Sequence, residues 1–176
     1  MPFEVRNKEI TGVFVIESKI FNDERGYFHE VFSEEEFESL GIKVHFVQQN
    51  QSFSRRGVLR GMHYQNDPYE QGKLVRCVSG SIYDVAIDIS KNSLTYGKYV
   101  SEMPDKPAKM MWIPPGFAHG FLALEDPVAE YVETKPYRKE YEAGVVWNDP
   151  HIEIKWPSEP ECISEKDRMW PGLKVQ

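Results

Sequence analysis

The chain has 176 residues, with 21 Lys and Arg against 28 Asp and Glu and a net charge of -7. That length fits one domain spanning 1–176, large enough to bury a core without disulfides. Apolar residues at 40% and aromatics at 13% exclude a disordered or collagen-like chain, and the acidity argues against a nucleic-acid binder.

Strand-forming runs dominate in chain order. Val13–Ser18, Gly26–Phe32, Val44–Asn50 and Lys73–Ser90 are rich in Val, Ile, Phe and Tyr, and are punctuated by Gly, Asn, Asp and Pro. Between Gly26–Phe32 and Val44–Asn50, Ser33-Glu34-Glu35-Glu36 reads as a capping box that opens a helix. Phe37 and Leu40 lie on its apolar face and Gly41 ends it. Over Tyr83–Ile89 the alternation puts Asp84, Ala86 and Asp88 on one face. Further strands are expected at Lys98–Glu102, Met110–Ile113, Gly120–Leu124, Ala129–Thr134 and Ile152–Trp156, with a second short helix starting at Ser164. Many short strands with little helix predict an all-β sandwich or barrel, a class that holds small ligands in its mouth. No apolar run approaches the roughly 18 residues that cross a membrane. The N-terminus MPFEVRNKEI has no basic stretch leading into an apolar one, so no signal peptide is expected. Cys77 and Cys162 form no CxxC pair and read as reduced, buried thiols of a cytoplasmic protein.

Charge is uneven along the chain. Arg55, Arg56, Arg60, Lys73 and Arg76 face only Asp67 and Glu70 within the Arg55–Arg76 stretch. A basic patch on an acidic protein suits an anionic small molecule, and Arg suits phosphate because its planar fork binds two oxygens. Paired surface charge is the structural alternative. Inside the patch lies Arg60-Gly61-Met62-His63-Tyr64-Gln65. Strict alternation turns Arg60, Met62 and Tyr64 one way and Gly61, His63 and Gln65 the other, unless the glycine introduces a bulge. His63 is a candidate general base, because imidazole titrates near neutral pH. A lone histidine is more often structural.

A second signal is Ile113-Pro114-Pro115-Gly116-Phe117-Ala118-His119, a forced turn with a histidine where the strand resumes. It resembles the second motif of the cupin barrels, P-x-G-x-x-H. The first cupin motif, H-x-H followed by Glu, then falls on His63-Tyr64-Gln65 and Glu70, with Gln65 in place of the second histidine. Too few ligands remain for a metal, so a metal-free pocket is expected.

Ordered motifs carry the resemblance further: Phe21–Glu30, Gln48–Ser52, Gly57–Gln65, Gln71–Arg76, Asp84–Asp88, Ile113–Phe121, Trp147–Pro150 and Ser164–Asp167. Together they resemble the dTDP-4-dehydrorhamnose 3,5-epimerases, metal-free cupins acting on dTDP-4-keto-6-deoxy sugars. The resemblance implies a jelly-roll β-barrel and no cofactor. It implies His63 as catalytic base, Asp167 as its orienting carboxylate, Lys73 as the cation at the enolate oxygen and Tyr131 as proton donor on the opposite face. Asp84 is the alternative partner of His63. Tyr137 matches an aromatic beside the nucleotide. Arg25, Glu30, Gln48, Asn50, Arg60, His119, Glu142 and Lys166 match substrate-contacting positions. An N-terminal region reaching the neighbouring subunit's site implies a homodimer. Two substitutions depart from the family pattern: Met62 stands for a usual Leu, and Lys135-Pro136 for an acid and an aromatic before Tyr137. Rival readings are a mono-epimerase acting at C3 or C5 alone, a non-catalytic sugar-nucleotide-binding module, and a metal-dependent cupin, which Gln65 opposes.

Overall fold

The computed structural model describes residues 3–10, 12–104 and 106–174. The N-terminal part carries β1 (Phe3–Asn7), β2 (Phe14–Ser18), the hairpin β3 (Phe21–Asp23) and β4 (Gly26–Phe28), and helix α1 (Glu34–Ser39). Next come β5 (Gln48–Phe53), β6 (Val58–Gln65), β7 (Lys73–Ser79), β8 (Ile82–Asp88), β9 (Tyr99–Glu102) and β10 (Lys109–Ile113). The C-terminal part adds β11 (Phe117–Ala123), β12 (Val128–Glu133), β13 (Glu142–Gly144), β14 (Cys162–Ile163) and helix α2 (Glu165–Arg168). One sheet has the order β1-β2-β10-β7-β12-β5 and the other β13-β6-β11-β8-β9. Pairing is antiparallel throughout both, except that β14 joins β6 in parallel. Two facing antiparallel sheets with crossovers between them are a jelly roll, the all-β cupin-type barrel expected.

The sheets face each other through alternate residues. Val75, Cys77, Met111, Ile113 and Ala129 from one meet Ile82, Ala86, Val100, Phe117 and Phe121 from the other. On the outer face of the first sheet, Ile16, Leu74, Met110 and Trp112 are covered by Phe37 of α1 and by Ile42. Ser33 caps α1 by accepting the Glu36 amide, and Gly41 at φ +82° turns the chain out of the helix. Phe37 is fully buried there, which contributes about 1.5–3 kcal/mol. No helix among the described residues is long and apolar enough to cross a membrane.

Several predicted elements differ. Of Gly26–Phe32 only Gly26–Phe28 is strand, in an exposed hairpin, because nothing pairs with the remainder. The strand expected from Val44 starts at Gln48, since Val44 and Phe46 pack sideways onto the first sheet instead of entering its ladder. Lys73–Ser90 is two strands, divided at Gly80, whose φ of +73° makes the turn. Ile152–Trp156 is not a strand. Ile152, Ile154 and Trp156 are anchored by apolar packing under the second sheet. Strand β1 carries too little alternation to be read in advance: only Phe3 is buried. Cys77 is buried as expected, but Cys162 is exposed, because edge strand β14 turns Ile163 inward instead.

Candidate active site

One position in β6 decides the geometry. His63 pairs with His119, but Arg60 pairs with Phe121, so β6 holds one more residue than β11 over that stretch. The bulge sits at Gly61, where φ is +134° and a Cβ would lie 2.6 Å from the Gly120 Cα. Only glycine fits such a conformation and approach. The extra residue breaks the alternation expected from sequence and moves Arg60 to the side of His63. Met62 and Tyr64 turn outward into apolar packing, while Arg60 joins His63 on the inner face. A cavity of about 530 Å³ is lined there by Arg60, His63, Lys73, His119, Tyr131 and Asp167, among others. A smaller one of about 230 Å³ shares His63, Lys73 and Tyr131 and adds Gln48, Asn50 and Glu133.

The two sheets supply opposite walls. From the second sheet, His63 places Nε2 2.6 Å from Asp167 Oδ1. An ionised carboxylate can only accept, so Nε2 carries the proton and Nδ1 the free lone pair. Asp167 is held by its own helix: Ser164 caps α2 by accepting the Asp167 amide. Gly61 N donates to Oδ2 at 3.3 Å and Trp170 Nε1 to Oδ1 at 3.3 Å. Burial would raise the Asp167 carboxyl, but the bonds from His63 and Gly61 outweigh it and hold it below its ordinary value. Asp84, the alternative partner, lies instead 2.6 Å from His119 Nε2.

From the first sheet, Lys73, Glu133 and Gln48 form one cross-strand row, and Val75, Tyr131 and Asn50 the next row on the same face. Lys73 Nζ is 3.3 Å from Glu133 Oε1 and 5.8 Å from the centre of the Tyr131 ring. Burial first, and then the Glu133 charge, push the Tyr131 phenol up, with Arg60 opposing. The hydroxyl therefore keeps its proton at neutral pH, as a donor must.

At the rim, Glu142 accepts from Lys166 Nζ at 2.7 Å and from the Tyr137 hydroxyl at 2.9 Å. The Tyr137 amide donates to Gln48 Oε1 at 2.8 Å. Burial would raise the Glu142 carboxyl, but Lys166 and Tyr137 hold it below its ordinary value. Of the catalytic and substrate-contacting residues implied by the resemblance, Arg25 and Glu30 line neither cavity. Arg25 sits on the exposed hairpin and forks onto Asp23, with Nη2 2.6 Å from Oδ2. Sequence reasoning missed Glu133 and Trp170. Glu133 had a signal, since it lies two residues from Tyr131 on one strand face; Trp170, in the turn after α2, had none.

A metal does not fit these residues. Gln65 Nε2 donates to the Tyr69 and Pro136 carbonyls at 2.7 and 3.2 Å, and Oε1 accepts from the Arg138 amide, so the side chain is fully engaged. Glu70 lines neither cavity. Among the described residues no three His, Cys, Asp or Glu side chains converge as a metal site.

Comparison with known proteins gives a consistent result. The family model described as dTDP-4-dehydrorhamnose 3,5-epimerase matches residues 7–175. A curated dTDP-4-dehydrorhamnose 3,5-epimerase of Methanothermobacter thermautotrophicus is 47% identical, over 98% of this chain and 95% of its own. The crystal structure of the Sulfolobus tokodaii enzyme of that name is 44% identical, covers 98% of this chain and 96% of its own, and superposes with a TM-score of 0.91. A Legionella pneumophila epimerase solved in complex with dTDP-4-keto-L-rhamnose is 40% identical over 97% of this chain and 93% of its own, with a TM-score of 0.93. With sequence and fold matched along nearly their whole lengths, this chain belongs to the dTDP-4-dehydrorhamnose 3,5-epimerase family.

Proposed function

We propose that the protein is an isomerase that inverts C3 and C5 of dTDP-4-dehydro-6-deoxy-D-glucose, giving dTDP-4-dehydro-L-rhamnose, without metal or cofactor. The observation that carries this reading is the opposition of two groups across shared cavities. The His63–Asp167 pair lies on one sheet's wall, and Tyr131 and Lys73 lie on the other's. Inversion next to a ketone needs that arrangement. His63 Nδ1 takes the C–H proton, and the electron pair moves onto the 4-keto oxygen as an enolate. The Lys73 ammonium stabilises that oxygen more in the transition state than in the ketone. Tyr131 then gives its proton to the opposite face of the same carbon. Solvent restores both groups to their starting forms, so no oxidation occurs. Asp167 keeps His63 in the required tautomer and stabilises the imidazolium that forms.

Arg60 and Lys166 give the larger cavity donors suited to a diphosphate, whose binding energy orients the sugar, and His119 lines it with Nε2 bound to Asp84. Gln48, Asn50, Tyr137 and Glu142 line the smaller one. Arg25 and Glu30 act in this reading across a subunit boundary, in a cytoplasmic homodimer. Two features support the dimer. Both residues lie outside their own chain's cavities, and the hairpin that carries Arg25 leaves Phe21, Tyr27 and Phe28 at 49%, 60% and 69% exposure.

Replacing His63 by Ala removes the base that lines both cavities opposite Tyr131 and Lys73. Incubated with dTDP-4-dehydro-6-deoxy-D-glucose in D2O, the variant should lose both inverted product and deuterium uptake, by at least about 100-fold. A His63→Ala protein that still turns over at the parent rate contradicts the assignment.

A further inference from the structure

Glu133 is a buried carboxylate that the proposed reaction leaves without a part. It is only 3% exposed, on the inner face of β12. Its two oxygens divide their work: Oε1 lies 3.3 Å from Lys73 Nζ, and Oε2 accepts from Asn50 Nδ2 at 3.0 Å. Gln48 Nε2 in turn donates to Asn50 Oδ1 at 3.2 Å, so the carboxylate is braced through β5. A buried charge is retained only where it is paired and hydrogen-bonded. Lysine has a flexible four-carbon stem and carries no directional fork of its own. Something must therefore hold its ammonium at one place in the cavity, and the row Lys73–Glu133–Gln48 provides that.

We infer that Glu133 is a positioning residue for the reaction. It fixes the Lys73 ammonium where the enolate oxygen forms, through the 3.3 Å contact between Oε1 and Nζ. This rests on the roles given above to Lys73 and Tyr131. The arrangement has a specific consequence. Glu133 touches no reacting atom in this reading, so removing its charge while keeping an acceptor for Asn50 acts through Lys73.

The test is Glu133→Gln, which keeps the side-chain shape and a partner for Asn50 but removes the charge. The expected result is a kcat lowered about 10- to 100-fold, with KM and the Kd for dTDP within about threefold of the parent. Glu133→Asp, which restores the charge on a shorter stem, should recover about tenfold of that loss. In a Lys73→Met background, Glu133→Gln should cost nothing further, because the group it positions is already gone. An unchanged kcat in Glu133→Gln overturns the inference. So does a loss of dTDP affinity matching the loss in kcat, or an equal cost in both backgrounds, since each marks a merely structural carboxylate. The two levels separate cleanly. A parent protein that neither exchanges nor inverts overturns the reading of the whole site, whereas an active parent with an unaltered Glu133→Gln overturns the role of Glu133 alone.

Discussion

What a single side chain can do here is decided by which of its polar atoms are already hydrogen-bonded. Gln65 stands where a metal-binding barrel of this type carries its second histidine, and it spends its amide on the Tyr69, Pro136 and Arg138 backbone. It thereby ties β6 to the segment that presents Tyr137, a mechanical function in the place of a coordinating one. Exhaustive chelation should consequently leave turnover unchanged; loss of activity restored by iron, manganese or zinc would contradict the metal-free account. The histidines show what a sequence can and cannot specify. Asp167 and Asp84 were both eligible partners for His63, and the motif resemblance preferred Asp167. The structure gives each aspartate its own histidine, with 2.6 Å contacts in both pairs. The spacing of Glu133 from Tyr131 on one strand face is visible in sequence, but its partnership with Lys73 depends on the cross-strand row.

Between elements, the bulge in β6 matters most. The tight glycine spacing made a bulge foreseeable, but its effect on which side chains face inward depends on a register that only the paired strand supplies. With it, Arg60 and His63 share a wall; without it they point apart. Gly61→Ala is therefore expected to do more than a surface substitution. The positive φ alone costs about 1–2 kcal/mol for an L side chain, and the added Cβ meets Gly120 at 2.6 Å. Thermal unfolding should drop by several degrees, and the surviving folded fraction should have lost most of its activity. A variant of parent stability and activity would show that the bulge does not set the geometry. The helices and inner strands were legible from capping and alternation. Of the expected strands, the 29–32 part of Gly26–Phe32 and the whole of Ile152–Trp156 had suitable composition but pair with no strand. Pairing is a property of the fold, which composition cannot report.

Across the whole molecule, the two sheets are joined away from the site by a charge cluster. Glu102 of β9, in one sheet, accepts from Arg6 of β1 at 3.0 Å and pairs with Lys8 at 2.8 Å and Lys109 of β10 at 3.0 Å, both β1 and β10 belonging to the other sheet. Burial would raise its carboxyl, but the bonds and charges of Lys8 and Lys109 hold it at about 2, against an ordinary 4.5. A depressed carboxyl stabilises the fold above its unfolded value and loses that contribution as pH falls toward the folded one. Glu102→Gln should thus cost about 1–2 kcal/mol at pH 7, after allowance for solvent screening. The gap to the parent in thermal unfolding should close between about pH 4.5 and 2. A gap that is the same at both ends of that range would remove Glu102 as an inter-sheet clasp. The central claim depends on the opposite faces of the cavity: base on one, acid on the other. The most direct measurement is proton NMR of dTDP-4-dehydro-6-deoxy-D-glucose turned over in D2O by Tyr131→Phe. That variant keeps the ring and loses only the hydroxyl, while His63 and Lys73 remain to form the enolate. Reprotonation from the His63 side then returns the original configuration, so deuterium should enter at C3 and C5 faster than either centre inverts. Inversion at the parent rate, with exchange and inversion still in step, would contradict the account.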